Sequence, residues 1–288
     1  MKYPYGKKEV RLVSTGWLAA RLQENEIMIL DVQPNIHDYV QEHIPGAIYL
    51  NEGLFRGYTG RSPAAWVEPV IIESILANAG ICNDVPVVIY TGIGAYKKWG
   101  DGLEQTMVAY TLTRYGHNQV YLLDGGLDKW KEEGRPLSRE FKKAGSSLFR
   151  LFLRRDYFIT YDEFIRIKDN PEVLLLDARP APIYEGQGPW IKPGHIPGAI
   201  NLPWASLMDD KNKSLLKPLE EIKDILDNRN IHDDKTIICS CGTGREATNE
   251  FILFKFYLEY PEVKLHEGAF TEWTSYPGNP TVTGKNPR

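Results

Sequence analysis

The stretch Cys241-Gly-Thr-Gly-Arg-Glu246 places a thiol where the backbone itself can favour a sulfur anion. Upstream, Thr236 to Ser240 reads as a short buried strand. From Glu246 onward, Ala247, Phe251 and Phe254, flanked by Ile252 and Leu258, follow a period of about 3.6 and predict a helix. The cysteine therefore opens a tight turn from strand end to helix start. Gly242 and Gly244 permit the positive φ that lets successive N–H groups converge, and the helix start adds the positive end of its dipole. A cysteine in that setting, with Arg245 close by, is expected to ionise more readily than a free thiol. The thiolate is a nucleophile, and a persulfide formed on it would be held by the same donors. Thr243 and Glu246 complete the loop; Glu246 either sits at the first turn of the helix, where a carboxylate is favourable, or repels a dianionic donor.

The other two cysteines carry no such setting. Cys239 lies inside the strand and reads as a small buried apolar residue, and Cys82 stands beside Asn83-Asp84 with no role assigned. Three cysteines do not make a disulfide framework. Cys239-x-Cys241 lacks a second ligand pair, so no metal is expected.

The elements that position the loop occur twice. Ser14-Thr15 and Thr160 each stand as capping residues before an amphipathic run, GWLAARLQ and YDEFIRIK. Two apolar strands then end in Asp31 and Asp177, 146 residues apart. His43-Ile-Pro-Gly-Ala-Ile48 recurs as His195 to Ile200 at an offset of 152, and PVVIYTGIG, from Pro86, matches TIICSCGTG at 150. VYLLDGGLDKW, ending at Trp130, matches VKLHEGAFTEW, ending at Trp273. Landmark order is kept while the offset drifts, as happens when only loops change length. Strands alternating with helices predict an α/β fold of two tandem domains, each a mainly parallel sheet with helices on both faces. Residues 1–137 form the first domain, 138–156 a packed linker and 157–288 the second.

Composition narrows the class. Of 288 residues, 42% are hydrophobic and 25% charged, which suffices for two cores. A net charge of −4 argues against nucleic acid as partner. No run approaches the roughly 18 apolar residues of a membrane span, and MKYPYGKKEV has no signal-like apolar stretch. A cytoplasmic location is expected, although a trimmed exported chain would look the same.

The Asp, HIPGAI and cysteine-loop pieces, with GHIPGAINLPW from Gly194 and GAFTEW from Gly268, resemble the rhodanese superfamily over nearly the whole chain. The resemblance implies a thiosulfate or 3-mercaptopyruvate sulfurtransferase with a silent first domain and a catalytic second one. Thr91, at the place of Cys241, cannot form a thiolate. It also implies that the Arg of Asp177-Ala-Arg179 attracts the anionic donor, a residue replaced by Gln33 in the first half, with Asp177 structural. His195 is read as architectural, because His43 holds the same place in the half without the cysteine. Expected partners are a small sulfur donor, a thiol or cyanide acceptor and a protein acceptor of sulfur; no cofactor is needed. Gly242, Thr243, Gly244, Arg245 and Glu246 are expected to bind the donor, and the charge of Arg245 tips the choice towards thiosulfate. Lys97, Lys98 and Trp99, after the silent loop, read chiefly as exposed side chains.

Three other readings compete. A related phosphatase would carry Cys-x5-Arg, but Ala247 stands at that position. Gly242-x-Gly244-x-x-Ala247, with Glu267 downstream, loosely matches a dinucleotide loop yet leaves the repeat unexplained. A persulfide carrier or binding module would dock a partner without turnover.

Overall fold

The computed structural model describes residues 1–24, 26–58 and 64–288. They fall into two compact units. Unit 1 comprises Met1–Arg56, Trp66–Arg154 and Met208–Leu216, and unit 2 comprises Gly57–Ala65, Arg155–Leu207 and Lys217–Arg288. Most of the stretch expected as a linker thus belongs to unit 1. Phe149 is buried there, and Ser147 Oγ donates to the Ile81 carbonyl at 2.6 Å.

Unit 1 contains β1 (Val10–Val13), α1 (Thr15–Ala19), β2 (Met28–Asp31), α2 (Ile36–Gln41) and β3 (Ile48–Tyr49). The short pieces β4 (Arg56–Gly57) and β5 (Ala65–Trp66) fall on the boundaries between the units, and unit 1 continues with α3 (Pro69–Asn78), β6 (Val87–Tyr90), α4 (Leu103–Arg114), β7 (Val120–Leu123) and α5 (Gly126–Glu132). Its main sheet runs β1-β7-β6-β2-β3, with every pairing parallel. Unit 2 contains β8 (Phe158–Ile159), α6 (Tyr161–Ile167), β9 (Val173–Asp177), β10 (Ile200–Asn201), α7 (Leu219–Asp227), β11 (Thr236–Ser240), α8 (Ala247–Ile252), β12 (Val263–His266) and α9 (Ala269–Ser275). Its sheet, β8-β12-β11-β9-β10, is also all parallel and has the same order. The sequence repeat is a structural repeat.

The local causes repeat too. Ser14 accepts the Trp17 amide at the start of α1, and Thr160 and Glu163 form a reciprocal capping box at the start of α6. The central strand β6 is buried throughout, which explains its unbroken apolar run. On one face of the first sheet Val13, Ile29, Val88 and Tyr90 pack with Leu18 of α1, Tyr39 of α2 and Trp130 of α5. Helix α4 packs on β6 and β7. In unit 2, Ile159, Leu175 and Ile238 pack with Phe164 of α6 and Trp273 of α9, while α8 lies on β11 and β12.

The HIPGAI segments are pinned in the same way in both units. His43 stacks on Tyr39 at 4.0 Å and His195 on Tyr184 at 3.6 Å. Each ring places Nδ1 by that tyrosine's carbonyl, at 2.7 and 3.0 Å, and each tyrosine hydroxyl donates to the alanine carbonyl of HIPGAI. The histidine backbones pair with Ser138 and Val282. Both histidines are fully buried, in keeping with an architectural role.

Candidate active site

Strand β11 ends at Ser240, and α8 starts at Ala247 with Glu246 as its N-cap residue. The intervening turn is held from outside through its carbonyls. The amide of Phe270 donates to the Cys241 carbonyl at 2.9 Å, and the amide of Thr271 to the Gly242 carbonyl at 3.0 Å. Thr271 Oγ1 also donates to Gly242 O at 2.8 Å, and Trp190 Nε1 donates to Thr271 Oγ1 at 2.8 Å. With its carbonyls tied to the start of α9, the turn directs amides inward. Gly244 N donates to Cys241 Sγ at 3.1 Å, and the nearby amides of Thr243 and Ala247 favour negative charge on that sulfur.

The glycines are required by this packing. Gly244 adopts φ +84°, and a Cβ there would stand 2.7 Å from the Glu267 carbonyl oxygen. A Cβ on Gly242 would stand 2.4 Å from Cζ2 of Trp190. The sequence carries one signal for Trp190. The repeat offset grows from 146 at the Asp pair to 152 at the His pair, an insertion of six residues, and Trp190 lies in that longer loop.

Cys241 has no solvent exposure. Burial, followed by the charge of Glu246 and a hydrogen bond to its carboxylate, pushes the thiol well above its ordinary value, and the Ala247 and Thr243 amides act in the opposite direction. The expected easy ionisation is therefore corrected for the resting state. Three amides face the sulfur, but desolvation and a neighbouring carboxylate outweigh them, and α8 is only six residues long. The resting group is a thiol. Arg245, Glu246 and Thr243 are each partly exposed at the rim of the turn. Cys239 is fully buried, and burial pushes it up as well, in line with an inert role.

Arg179 is placed differently from the donor-attracting role expected of it. It is fully buried. Its Nε lies 2.9 and 3.1 Å from the two Asp177 carboxylate oxygens, Nη2 lies 2.5 Å from Oδ2, and Nη2 also donates to the Gly194 carbonyl at 3.0 Å. Its guanidinium is packed between Phe270, at 4.1 Å, and Trp190, at 5.0 Å. Asp177 and Gly194 hold the guanidinium through Nε and Nη2, while the buried Nη1 has no hydrogen-bond partner.

In the first half, Thr91 Oγ1 donates to a Glu104 carboxylate oxygen at 3.1 Å. Lys97, Lys98 and Trp99 are exposed. The sequence also gave no notice of Glu250 on α8. It is fully buried, and neither carboxylate oxygen has a hydrogen-bond partner. Among the described residues no cluster of His, Cys, Asp and Glu suits a metal ion, and no helix is long and apolar enough to cross a membrane.

Comparison with known proteins shows the family and the fold. The family model described as a Rhodanese-like domain matches residues 14–133 and again 160–276. A protein named "Putative thiosulfate sulfurtransferase" from Synechococcus elongatus is 32% identical over 92% of this chain and 83% of its own. The sulfur carrier protein TtuD of Thermus thermophilus is 29% identical, covering 98% of this chain and 99% of its own. Among solved structures, the 3-mercaptopyruvate sulfotransferase SseA from Escherichia coli superposes with a TM-score of 0.79 at 26% identity, covering 90% of this chain and 98% of that one.

Proposed function

Because the chain belongs to the rhodanese family of sulfurtransferases, with both halves matched by its domain model, we propose that it moves sulfur through a persulfide on Cys241. One observation carries this reading: the Cys241 sulfur is met by the amides of Thr243, Gly244 and Ala247, donors ready to hold a negative sulfur once the thiol proton has gone. The thiolate attacks the outer sulfur of the donor. A new S–S bond forms to Cys241, and the bond between donor sulfur and leaving group breaks with its electron pair on the leaving group. A thiol or cyanide then takes the outer sulfur and restores Cys241, a ping-pong cycle.

Two donors fit. Thiosulfate is supported by the positive charge of Arg245 at the rim and by the name of the Synechococcus relative. 3-Mercaptopyruvate is supported by the negative charge of Glu246 beside the thiol, which opposes a dianion at that point, and by the likeness to SseA. With Arg179 enclosed by Asp177, the balance moves towards the second donor. The likeness to TtuD supports a protein as final sulfur acceptor.

Steady-state transfer from each donor to cyanide and to a small thiol tests the reading. Turnover with at least one donor, lost in Cys241→Ser, is expected. Absence of turnover, with sulfur held only stoichiometrically, would favour a carrier that hands sulfur to a partner protein.

A further inference from the structure

The two halves turn one peptide group in opposite directions, and the side chain that turns it differs in kind. Thr271 and Asp128 are equivalent, each two residues before the matching tryptophans Trp273 and Trp130. Thr243 and Ile93 are equivalent likewise, each two residues after Cys241 and Thr91. The preceding peptide is held alike in both halves. The Phe270 amide donates to the Cys241 carbonyl at 2.9 Å, and the Leu127 amide donates to the Thr91 carbonyl at 2.8 Å. The next peptide is not. In the first half the Ile93 amide donates outward to an Asp128 carboxylate oxygen at 2.9 Å. The Gly92 carbonyl of that peptide faces the loop instead, where a Cβ on Gly100 would stand 1.9 Å from its oxygen. In the second half it is the carbonyl that meets the helix: Gly242 O accepts from Thr271 N at 3.0 Å and from Thr271 Oγ1 at 2.8 Å.

A trans peptide points its C=O and N–H in opposite directions, so the Thr243 N–H is turned away from α9. It joins the Gly244 amide, which donates to Cys241 Sγ at 3.1 Å, in favouring negative charge on that sulfur. Side-chain chemistry accounts for the reversal. A carboxylate only accepts and so draws an amide, whereas a hydroxyl has a proton to give and can draw a carbonyl. The Thr271 hydroxyl could rotate, but Trp190 Nε1 donates to it at 2.8 Å. An indole N–H cannot accept, so the Thr271 proton is left for Gly242.

We propose that Thr271, with its hydroxyl set by Trp190, is a positioning residue for sulfur transfer, fixing the Gly242–Thr243 peptide with its N–H towards the Cys241 sulfur, where Asp128 fixes the opposite orientation in the first half. The inference rests on the Cys241 persulfide reading. Thr271 acts through the peptide, and the amide it aims stabilises the sulfur anion during attack and after loading. Other titratable groups also act on this sulfur or lie on the elements around it: Glu246 in the turn, Cys239 on β11, Glu250 on α8, Asp177 clipped by Arg179 on β9, His266 on β12 and Glu272 on α9. Substitutions at Thr271 leave all of them in place.

The experiment follows sulfur loading of Cys241 in single turnovers by intact mass, with 3-mercaptopyruvate and with thiosulfate. Wild type is compared with Thr271→Ser, Thr271→Val, Thr271→Asp and Trp190→Phe. The pH midpoint of Cys241 alkylation is read in parallel from its own peptide, and urea unfolding follows the fold. Thr271→Asp, which imitates Asp128, should slow loading by about 10²-fold with either donor and raise the midpoint. Thr271→Val keeps the backbone bond to Gly242, so it should lose less but shift the midpoint the same way. Thr271→Ser should restore both. Trp190→Phe keeps a ring but frees the hydroxyl, and should fall between the serine and valine variants. A purely structural role would lower stability without moving the midpoint, and a charge effect alone would move it in Thr271→Asp but not in Thr271→Val. Either result, or Thr271→Ser no better than Thr271→Val, would overturn the proposal while leaving the Cys241 persulfide intact. No sulfur gain on wild-type Cys241 with either donor would instead defeat the reading beneath it, and this proposal with it.

Discussion

Arg179 closes on Asp177 as a buried clip, with Nε between the two carboxylate oxygens and Nη2 reaching on to the carbonyl of Gly194. The first half builds the same clip without a charge. Gln33 Nε2 donates to Asp31 Oδ2 at 2.9 Å and to the Glu42 carbonyl at 3.2 Å, and the backbone amides of Gln33 and Arg179 both donate to Oδ1 of their aspartates. Each clip ties the end of a central strand to the residue just before HIPGAI. Two unlike side chains performing one task in two settings mark the task as structural.

Arg179→Ala should therefore act on stability first. It strands Asp177 in the interior, a loss of about 3–5 kcal/mol, whereas Arg179→Gln, which imitates Gln33, should lose clearly less. Urea unfolding reads the difference. A large rise in donor KM with unfolding unchanged would instead restore Arg179 to donor binding.

Asp31 makes stability depend on pH in a defined direction. Burial raises its carboxyl to about 7, against the opposing hydrogen bonds from Tyr90, at 2.6 Å, and Gln33. Its unfolded value is about 3.9, so between these values the folded chain keeps a proton that the unfolded chain has released. The contribution is fully present below about pH 4 and is lost as the pH rises through about 7. Asp31→Asn should thus be least favourable at low pH and gain on wild type as the pH rises. Unfolding midpoints at about pH 5 and about pH 8 give the comparison; a difference independent of pH would contradict it.

Much of this architecture is legible in the chain, and the reasons are local. Apolar strands ending in Asp31 and Asp177, the capping signals at Ser14 and Thr160 and the repeated HIPGAI all report short-range chemistry, and the repeat then orders them. The edge strands Val10–Val13 and Phe158–Ile159 escape notice because four and two residues carry too little periodicity. The state of Cys241 is hidden from the sequence for another reason. Turn glycines reveal where amides converge, but not that the sulfur loses all solvent or that the charge of Glu246 acts on it. The charge of Arg179 is legible in the sequence, but its pairing with Asp177 two residues away is not.

Glu250 is a buried carboxyl without a hydrogen-bond partner, pushed well above the ordinary carboxylate range by burial and then by Asp177 and Glu246. Glu250→Met, of similar length and apolar, should raise stability by about 1–3 kcal/mol, more at high pH than at low, since ionising the native group grows costlier. Lost stability, or lost sulfur transfer with stability gained, would show that the carboxyl has a task.

Trp190 and Gly242 should behave as a coupled pair. Gly242→Ala drives a methyl into the indole and should cost about 1–3 kcal/mol; in a Trp190→Ala background the same change should cost much less. Trp190→Ala alone also removes the bond to Thr271 and loosens the turn, so alkylation of Cys241 should quicken while sulfur transfer slows. Strict additivity in the double mutant would contradict the contact.

The most direct test is intact mass, with peptide mapping, after the protein meets 3-mercaptopyruvate or thiosulfate under non-reducing conditions. Wild type should gain one sulfur atom on the peptide bearing Cys241, removed again by cyanide, and Cys241→Ser should gain none. Sulfur appearing on Cys239 or Cys82 in place of Cys241, or persisting in Cys241→Ser, would contradict the account.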